Sequence, residues 1–581
     1  MISSVLIANR GEIAVRVIRG AKELGMRTIA IYSELDREAA HIELADEAWN
    51  VGPAPSAESY LNIERIIEIA LQSKAESVHP GYGFLSENAD FATAVLEAGL
   101  IWVGPPPEAI AAMGDKITSR QAVLGAGVVS VPGTLEPLIS VEAASEAAAE
   151  FGYPVAIKAA HGGGGRGLKV IASEDELEAG FESARREADA YFGSAEVYVE
   201  KYLEQPRHIE AQILFDLHGN GVFLGDRDCS LQRRHQKLIE EAPAGLTDKQ
   251  RKSLAKAAVA VGKAAGYVGV GTVEFLMDGK GDFYFLEMNT RLQVEHTVTE
   301  MVTGIDLVHE QFRVADGEEL AYKEPPPING HAIEFRINAE DPARDFLPNP
   351  GQVVQYRAPG GFGVRVDDWV RSGSSISQYY DNLLAKLVVW GKDRTDAIAR
   401  GRRALEEFVV TGVATTIPAH LRIVSHPAFV AGSHHTRWVE DDLDLSNVVQ
   451  PRTGTLPEEE HLDERQLTVE VGGRNYKIRM WAPPLTPTAD AAAGPKLRPP
   501  RLERGRATGE TDGVVTAPMQ GTIVKVNHKA GDRVKAGETI CVLEAMKMEN
   551  ELSSPRDGEL VDLRVQSGDA VATGQVVAIV K

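Results

Sequence analysis

Between residues 482 and 510 the chain reads APPLTPTADAAAGPKLRPPRLERGRATGE, with six prolines and almost no large apolar side chain. Such a stretch cannot bury enough surface to offset the entropy of ordering it, so it predicts a semi-extended linker. About 30 residues of this kind span roughly 30 Å as a coil and about 100 Å when stretched. The 581 residues must therefore fold as a large part before the linker and a small part after it. At roughly 100–200 residues per domain, the length predicts about three to five domains in all.

The small part contains an internal repeat. Pro518, Gly521, Gly531 and Gly537 recur 37 residues later as Pro555, Gly558, Gly568 and Gly574. Val524, Val534 and Ile540 recur at the same offset as Val561, Val571 and Val577. Two copies of one β-unit predict a small sandwich with approximate two-fold symmetry. Between the copies lies CVLEAMKMENELSSP, with Lys547 flanked by Met546 and Met548. The spacing puts Lys547 on the turn that joins the copies, where a side chain is displayed. A lysine on a turn tip is ordinarily just solvated. A miniature sandwich behind a long linker is also the mechanical design of a swinging arm, whose tip needs an amine that can be acylated.

In the large part, the first ~115 residues alternate strand and helix signals. SVLIA is a short apolar run, GEIAVRVIRGAKELG an amphipathic helix ending in glycine, and RTIAIY the next strand. That spacing predicts a doubly wound parallel sheet. Residues 150–295 mix a glycine run, alternating strands and a helix from about Thr247 to Gly266. Residues 330–445 read as a further α+β block opening on HAIEFRINAE, and LTVEVGGRNYKIRMW reads as a hairpin around Gly472–Gly473.

Three stretches carry chemistry. KAAHGGGGRGLKV follows the strand PVAIK and precedes the strand GLKVI. No Lys–Ser or Lys–Thr follows the last glycine, so it is not a Walker A loop. A glycine loop joining two strands can close its amides, those of Gly163, Gly164 and Gly165 among them, over phosphates like a lid, with Lys158 reaching them as a point charge. Next, TVEFLM and FYFLEMN alternate around the turn DGKGD, which predicts a hairpin with Glu274 almost opposite Glu287 and Asn289 on the same face. Two facing glutamates repel without a cation, and two carboxylates plus an amide form a hard-oxygen site suited to Mg²⁺. Directly after come Arg291, a fork for a small oxyanion, Gln293, and Glu295, a candidate base. Upstream, RDCSLQRRHQKLIEE adds Arg233, Arg234, His235 and Lys237, a basic run that predicts anion binding. Cys229, with no base beside it in the sequence, reads as a core thiol.

Bulk properties exclude other classes. The net charge of −23 argues against nucleic acid or an anionic membrane as partner. Two cysteines, Cys229 and Cys541, exclude a disulfide framework and a CxxC zinc site, and fit a reducing compartment. No 18-residue apolar run suggests a bilayer span. The opening MISSVLIANRGE lacks the pattern of a signal peptide, so the expected location is cytoplasmic.

The motifs together resemble a known family. EAMKMEN looks like the attachment sequence of biotin carboxyl carrier domains. ANRGEIA, HPGYGFLSENADFA, MGDK, GGGGRG, VEKYLEQPRHIE, RDCSLQRRHQK, EMNTRLQVEHTVTE and FRINAEDP look like the motifs of biotin carboxylase, an ATP-grasp enzyme, in its order. The likeness runs from residue 1 to about 445 and resumes from about 512. The whole chain is similar to the α subunit of a two-subunit acyl-CoA carboxylase of the acetyl/propionyl-CoA type found in actinobacteria.

The resemblance implies α/β and α+β architecture. It gives an N-terminal doubly wound domain over 1–114, an ATP-grasp domain over 115–325 and a C-terminal biotin carboxylase domain over 326–445. A hairpin and linker follow over 446–511, with 466–481 as a possible docking element, and a lipoyl-like all-β biotinyl domain fills 512–581. It implies that Lys116, Lys158, Glu200, Lys201, Leu203, His208, Gln232 and His235 contact ATP. Glu274, Glu287 and Asn289 match the site for Mg²⁺ (or Mn²⁺), with both glutamates also counted among the ATP-site residues. Lys237, Arg291, Gln293, Val294 and Glu295 match a bicarbonate pocket with Glu295 as base, and Arg336 matches the residue that steadies the biotin enolate. Biotin would be covalent on Lys547. In one departure from the family, His161 takes the first place of the glycine loop. The implied reaction is ATP- and bicarbonate-dependent carboxylation of the chain's own biotin, in the service of fatty acid biosynthesis. The implied partners are a carboxyltransferase β subunit, a biotin protein ligase, and a second copy of the biotin carboxylase domains within a larger α–β assembly. No stretch resembles a carboxyltransferase, so the acyl acceptor is left open between acetyl-CoA, propionyl-CoA, longer acyl-CoAs and, through another partner, pyruvate. Two other readings compete: an ATP-grasp ligase of another substrate with a lipoyl carrier, and a scaffold whose front half has lost activity. Lys237, Arg291, Glu295 and Arg336 argue against the second.

Overall fold

A computed structural model describes residues 2–134, 136–159, 168–192, 194–234, 236–450, 463–471, 474–482, 513–519, 521–545, 548–571 and 574–581. The chain divides into two compact units, Met1–Gln450 and Pro451–Lys581.

The first unit opens as the sequence predicts. Strands β1 (Ser4–Ile7), β2 (Arg27–Ser33), β3 (Glu47–Gly52), β4 (Ser77–His79) and β5 (Ile101–Trp102) form one sheet in the order β3-β2-β1-β4-β5, with every pairing parallel. The order reverses at β1, as in a doubly wound sheet. Leu6, Ile29, Ile31 and Val78 on one face pack against Ile66, Ile69 and Phe91 of the covering helices. On the other face Val5 and Ile7 pack with Ile13, Val17 and Val308. Both faces are covered, which is why β1 is a continuous apolar run and does not alternate with polar residues.

A three-stranded antiparallel sheet, β6 (Val155–Ala159), β7 (Lys169–Ile171) and β8 (Val197–Lys201), has β6 at its centre. The glycine run between β6 and β7, with His161, lies outside the described residues.

The site is built on an eight-stranded sheet. Strands β9 (Arg207–Phe215), β10 (Gly221–Arg233), β11 (Gln236–Ala242), β12 (Gly269–Met277), β13 (Phe283–Asn289) and β14 (His331–Asn338) run in the order β13-β12-β9-β10-β11-β14 and continue through Leu383–Gly391 to Val364–Asp368. The sheet passes from β11 to β14 without a break, because Ile239 to Ala242 pair antiparallel with Phe335 to Ala332. The helix Asp248–Ala264 covers one face. Thr247, where the sequence predicts the helix to begin, caps it reciprocally with Gln250. Leu254 and Val261 pack on Ile213, Phe215 and Phe275. A side chain at Gly262 would collide with the Phe215 ring, so the helix can lie this close only with glycine there. Removing the Phe215 ring should cost about 3–5 kcal/mol.

In the second unit, Asp463–Val471 and Arg474–Ala482 pair antiparallel, the hairpin read in the sequence; Gly472 and Gly473 lie outside the described residues. The repeat forms two four-stranded sheets. One runs Val514–Thr516, Val576–Val580, Gly558–Leu563, Arg533–Val534; the other runs Met548–Ser553, Thr539–Ala545, Gly521–Val526, Ala570–Val571. Each copy lends a short strand to the other. Val534 faces Gly558, and 37 residues on from Val534, Val571 faces Gly521. A Cβ on Gly521 would collide with the Glu544 carbonyl oxygen and one on Gly558 with the Lys581 carbonyl oxygen, again the same contact displaced by 37. Val534, Val571, Ile540 and Val577 are buried. Val524 is half-buried and Val561 exposed; the core at those places is filled by their neighbours Ile523 and Leu560. Among the described residues no helix is long and apolar enough to cross a membrane.

Candidate active site

Strand β9 reads His208, Glu210, Gln212 on one face and Ile209, Ala211, Ile213 on the other. The apolar set enters the helix-covered core. The polar set is not solvated: all three are buried, Glu210 and Gln212 completely. Register then draws a line of charges across four strands. Glu210 stands opposite Arg227 of β10 on one side and Glu274 of β12 on the other, and Glu274 stands opposite Glu287 of β13. The Glu274–Glu287 opposition is the one that the turn DGKGD predicts.

Buried carboxylates need compensation. Arg227, wholly buried, donates to Glu210 Oε2 at 2.8 and 3.0 Å, to Gln212 Oε1 at 2.6 Å, to Thr299 and Thr272 at 3.0 Å and to Gln293 Oε1 at 3.2 Å. Lys237 turns from β11 into the middle. Its ammonium donates to Glu210, to Glu295 Oε1 at 2.7 Å and to Glu274 Oε1 at 3.1 Å. Burial works against that charge, but the three carboxylates outweigh it and raise the lysine pKa well above its usual value. Glu274 Oε1 also accepts from Asn289 at 2.8 Å and Gln293 at 2.7 Å, and His208 Nε2 lies 2.8 Å from Oε2. Burial alone would push the Glu274 carboxyl up; Lys237 and His208 hold it well below the usual range.

Glu295 precedes the helix His296–Thr303 and is clamped from two sides. Lys237 holds Oε1, and Arg336 of β14 donates to Oε2 at 2.8 Å. Burial opposes ionisation here too, and Lys237, Arg336 and Arg227 overcome it, so Glu295 stays a carboxylate. Arg336 is shared with Glu240, whose Oε1 accepts from Nε at 2.6 Å. Burial raises the Glu240 carboxyl to about 7 despite that arginine.

The structure thus gathers Lys237, His208, Glu274, Asn289, Gln293, Glu295 and Arg336 into one centre. Arg291 sits at its edge, donating to Glu87 Oε2 and to Asn289 Oδ1, both at 2.8 Å. Val294 enters through its carbonyl, which accepts from Lys386 at 3.0 Å. Gln232 is buried one strand over, opposite Lys237. On the three-stranded sheet Lys158 pairs with Glu200, whose other oxygen accepts from Arg120 at 2.7 Å. Lys201 instead donates to the carbonyls of Gly152 at 2.7 Å and Tyr153 at 3.0 Å, and Leu203 is half-buried just beyond. The basic run is split: Arg233 and Arg234 both pair with Asp345, while Lys237 joins the centre. Gly163, Gly164, Gly165, His235 and Lys547 lie outside the described residues, as does the side chain of Lys116.

Glu274, Glu287 and Asn289 put hard oxygen donors on one face of a strand pair, Glu287 on the exposed side. That set fits a divalent cation that keeps water or phosphate oxygens in its remaining positions. Deeper in, the group His208, Glu210, Glu274 already has the Lys237 ammonium among its carboxylates. Cys229 lies close to Glu210 and Glu295, yet it is fully buried, and burial raises its pKa well above that of an ordinary thiol. It is an inert neighbour of the site.

The sequence did not single out Glu210, Arg227, Glu240 or Lys386. A signal existed for Glu210: the HIEAQI alternation marks a polar face, although alternation alone does not say that the face is covered.

Comparison with known proteins finds relatives along most of the chain. Residues 1–110 match the biotin carboxylase N-terminal domain, 115–323 the ATP-binding domain of the carbamoyl-phosphate synthase L chain, 334–441 the biotin carboxylase C-terminal domain, and 513–580 the domain of biotin-requiring enzymes. The chain is 50% identical over 566 residues to the biotin-dependent acyl-coenzyme A carboxylase alpha3 subunit of Mycobacterium leprae, covering 95% of this chain and 94% of that one. It is similar to the biotin carboxylase–β,γ-ATP complex from Campylobacter jejuni (46% identity, TM-score 0.73, 76% of this chain and 98% of that one). It is also similar to the biotin carboxylase domain dimer of Hydrogenobacter thermophilus 2-oxoglutarate carboxylase with MgADP, ADP and bicarbonate (48% identity, TM-score 0.72, 76% and 97%).

Proposed function

The chain belongs to the α subunits of biotin-dependent acyl-CoA carboxylases, and from that premise we propose how its own residues divide the work. As a member, it is a biotin carboxylase fused to a biotin carrier domain, and it carboxylates biotin with ATP and bicarbonate. The division into 1–114, 115–325, 326–445, 446–511 and 512–581 is part of this proposal.

The observation that carries the assignment is the double clamp on Glu295, by Lys237 at 2.7 Å and Arg336 at 2.8 Å. Bicarbonate is received by Lys237, Arg291, Gln293 and the main chain at Val294. As a bicarbonate oxygen attacks the γ-phosphorus of ATP and the bond to ADP breaks, Glu295 accepts the bicarbonate proton. Its depressed pKa keeps it ionised beforehand. Turning Lys237 toward the arriving anion would release part of that depression and make Glu295 the stronger base when it is needed. Lys116, Lys158, Glu200, Lys201, Leu203, His208, Gln232, His235 and the glycines 163–165 hold the nucleotide. Glu274, Glu287 and Asn289 would hold Mg²⁺ or Mn²⁺, which would supply neutralisation of phosphate charge. The carboxyphosphate so formed splits into CO₂ and phosphate; biotin on Lys547 would supply the ureido nitrogen, which would give its proton to that phosphate as it takes up the CO₂, and Arg336 would neutralise charge on the ureido oxygen.

A carboxyltransferase β subunit takes the carboxyl group onward, a biotin protein ligase modifies Lys547, the biotin carboxylase domains pair as a dimer, and the chain works in the cytoplasm. The test is direct. The purified chain should hydrolyse ATP in a bicarbonate-dependent way and carboxylate free biotin, yet carboxylate no acyl-CoA. Acyl-CoA carboxylation by the isolated chain would overturn this division. Deleting residues 466–481 should spare biotin carboxylation and weaken assembly with the β subunit; undiminished assembly would overturn the docking role alone.

A further inference from the structure

Among the described residues, Lys386 is the lysine that the chemistry above leaves without a task although it is wholly buried beside the pocket. It stands on the strand Leu383–Gly391 directly opposite Arg336 of β14. The two cations grip consecutive residues of one segment. Arg336 donates to the Glu295 carboxylate at 2.8 Å, and Lys386 donates to the Val294 carbonyl at 3.0 Å. Behind Lys386 lies Glu12 of the helix Gly11–Glu23, its Oε1 3.0 Å from the ammonium and its Oε2 accepting from the Tyr82 hydroxyl. Asp367 is farther, at 3.9 Å.

Besides its ion pair with Glu12, Lys386 gives a hydrogen bond of 3.0 Å to a main-chain oxygen in the middle of the Gln293–Glu295 arc. The flanks of that arc are held separately: Gln293 by its side chain to Glu274 and by its carbonyl, 2.7 Å from His296 Nδ1, and Glu295 by Lys237 and Arg336; Lys386 holds the middle. Resting on the catalytic reading above, we infer that Lys386, braced by Glu12 and Tyr82, is a positioning residue for bicarbonate: it pins the main chain at Val294, so that the Val294 backbone and the Glu295 carboxylate keep the spacing the anion requires. Glu12 comes from the first strand–helix unit and Lys386 from the last α+β block, so the pocket's backbone is set by two regions remote from the bicarbonate-facing side chains.

The experiment compares wild type, Lys386→Met and Lys386→Met/Glu12→Gln in bicarbonate-dependent ATP hydrolysis. The double variant removes both buried charges, so Glu12 is not left as a carboxylate facing an apolar chain. Displacing the arc by about an ångström should raise the apparent KM for bicarbonate about ten- to a hundredfold in both variants. The KM for ATP should change by less than about twofold, because no nucleotide-binding residue is touched. An unchanged bicarbonate KM overturns the inference. So does a fall in kcat with both KM values unmoved, or the loss of folded protein in both variants, since either makes the lysine purely structural. If wild type itself shows no bicarbonate dependence, the failure belongs to the catalytic reading, not to Lys386.

Discussion

In the eight-stranded sheet, the residues that meet are strangers in sequence. Glu210, Arg227, Lys237, Glu274, Glu295 and Arg336 come from five strands and a helix start, and each buried charge is tolerated because others surround it. In the C-terminal repeat, the residues that meet are related by a fixed offset: Val534 with Gly558, Val571 with Gly521. The first region is held by mutual neutralisation of charges, the second by close approach of backbones around an apolar core. Damage should spread accordingly. Losing one charge in the first strands the rest, whereas losing one side chain in the second removes only its own packing.

The largest break concerns the carrier's function. Lys547→Ala should abolish the biotin adduct altogether, read by intact mass; a retained adduct would refute the attachment site. Next, Glu295→Gln should lower carboxylation of free biotin by about 10²–10⁴-fold while nucleotide binding persists. Near wild-type turnover would show that the clamped carboxylate is not the base. Removing Lys237 tests the mutual neutralisation itself. Lys237→Met leaves Glu210, Glu274 and Glu295 short of a cation and should destabilise the first unit by about 3–5 kcal/mol, measured by denaturant unfolding. In the repeat, Leu560→Ala should cost about 2–5 kcal/mol by lost packing and leave carboxylation of free biotin untouched. A drop in that activity would mean that the two regions are not separable. The smallest effect should come from Glu287→Gln, which removes one hard ligand on the exposed side and should raise the Mg²⁺ concentration for half-maximal rate several-fold. An unchanged Mg²⁺ dependence would count against Glu287 as a ligand.

The same contrast decides what could be read from the chain beforehand. The repeat announced itself, because a 37-residue offset in glycines and apolar positions is visible without knowing the fold. So, to within one residue, did the facing of Glu274 and Glu287: the turn fixes the register from Met277–Phe283 to Phe275–Phe285, and a bulge between Phe275 and Glu274 then brings Glu287 opposite Glu274. The doubly wound opening followed from local period and spacing. The pairing of β9 with β12, which brings Glu210 to Glu274, could not follow, because no turn links those strands. Nor could the passage of the sheet from β11 into β14, which delivers Arg336 to Glu295. The basic run shows the opposite failure: Arg233, Arg234 and Lys237 are neighbours in sequence, yet the strand end sends the arginines to Asp345 and the lysine to the centre.

The exchanged short strands of the carrier also set an order in time. Val514–Thr516, the first strand of that domain to leave the ribosome, has as its sheet neighbour Val576–Val580, the last of the domain to be made. Arg533–Val534 waits for Gly558–Leu563, and Gly521–Val526 for Ala570–Val571. No nascent portion of the domain has its complete set of strand partners, so the carrier comes into being only once its own final strand exists, well after the biotin carboxylase part has emerged.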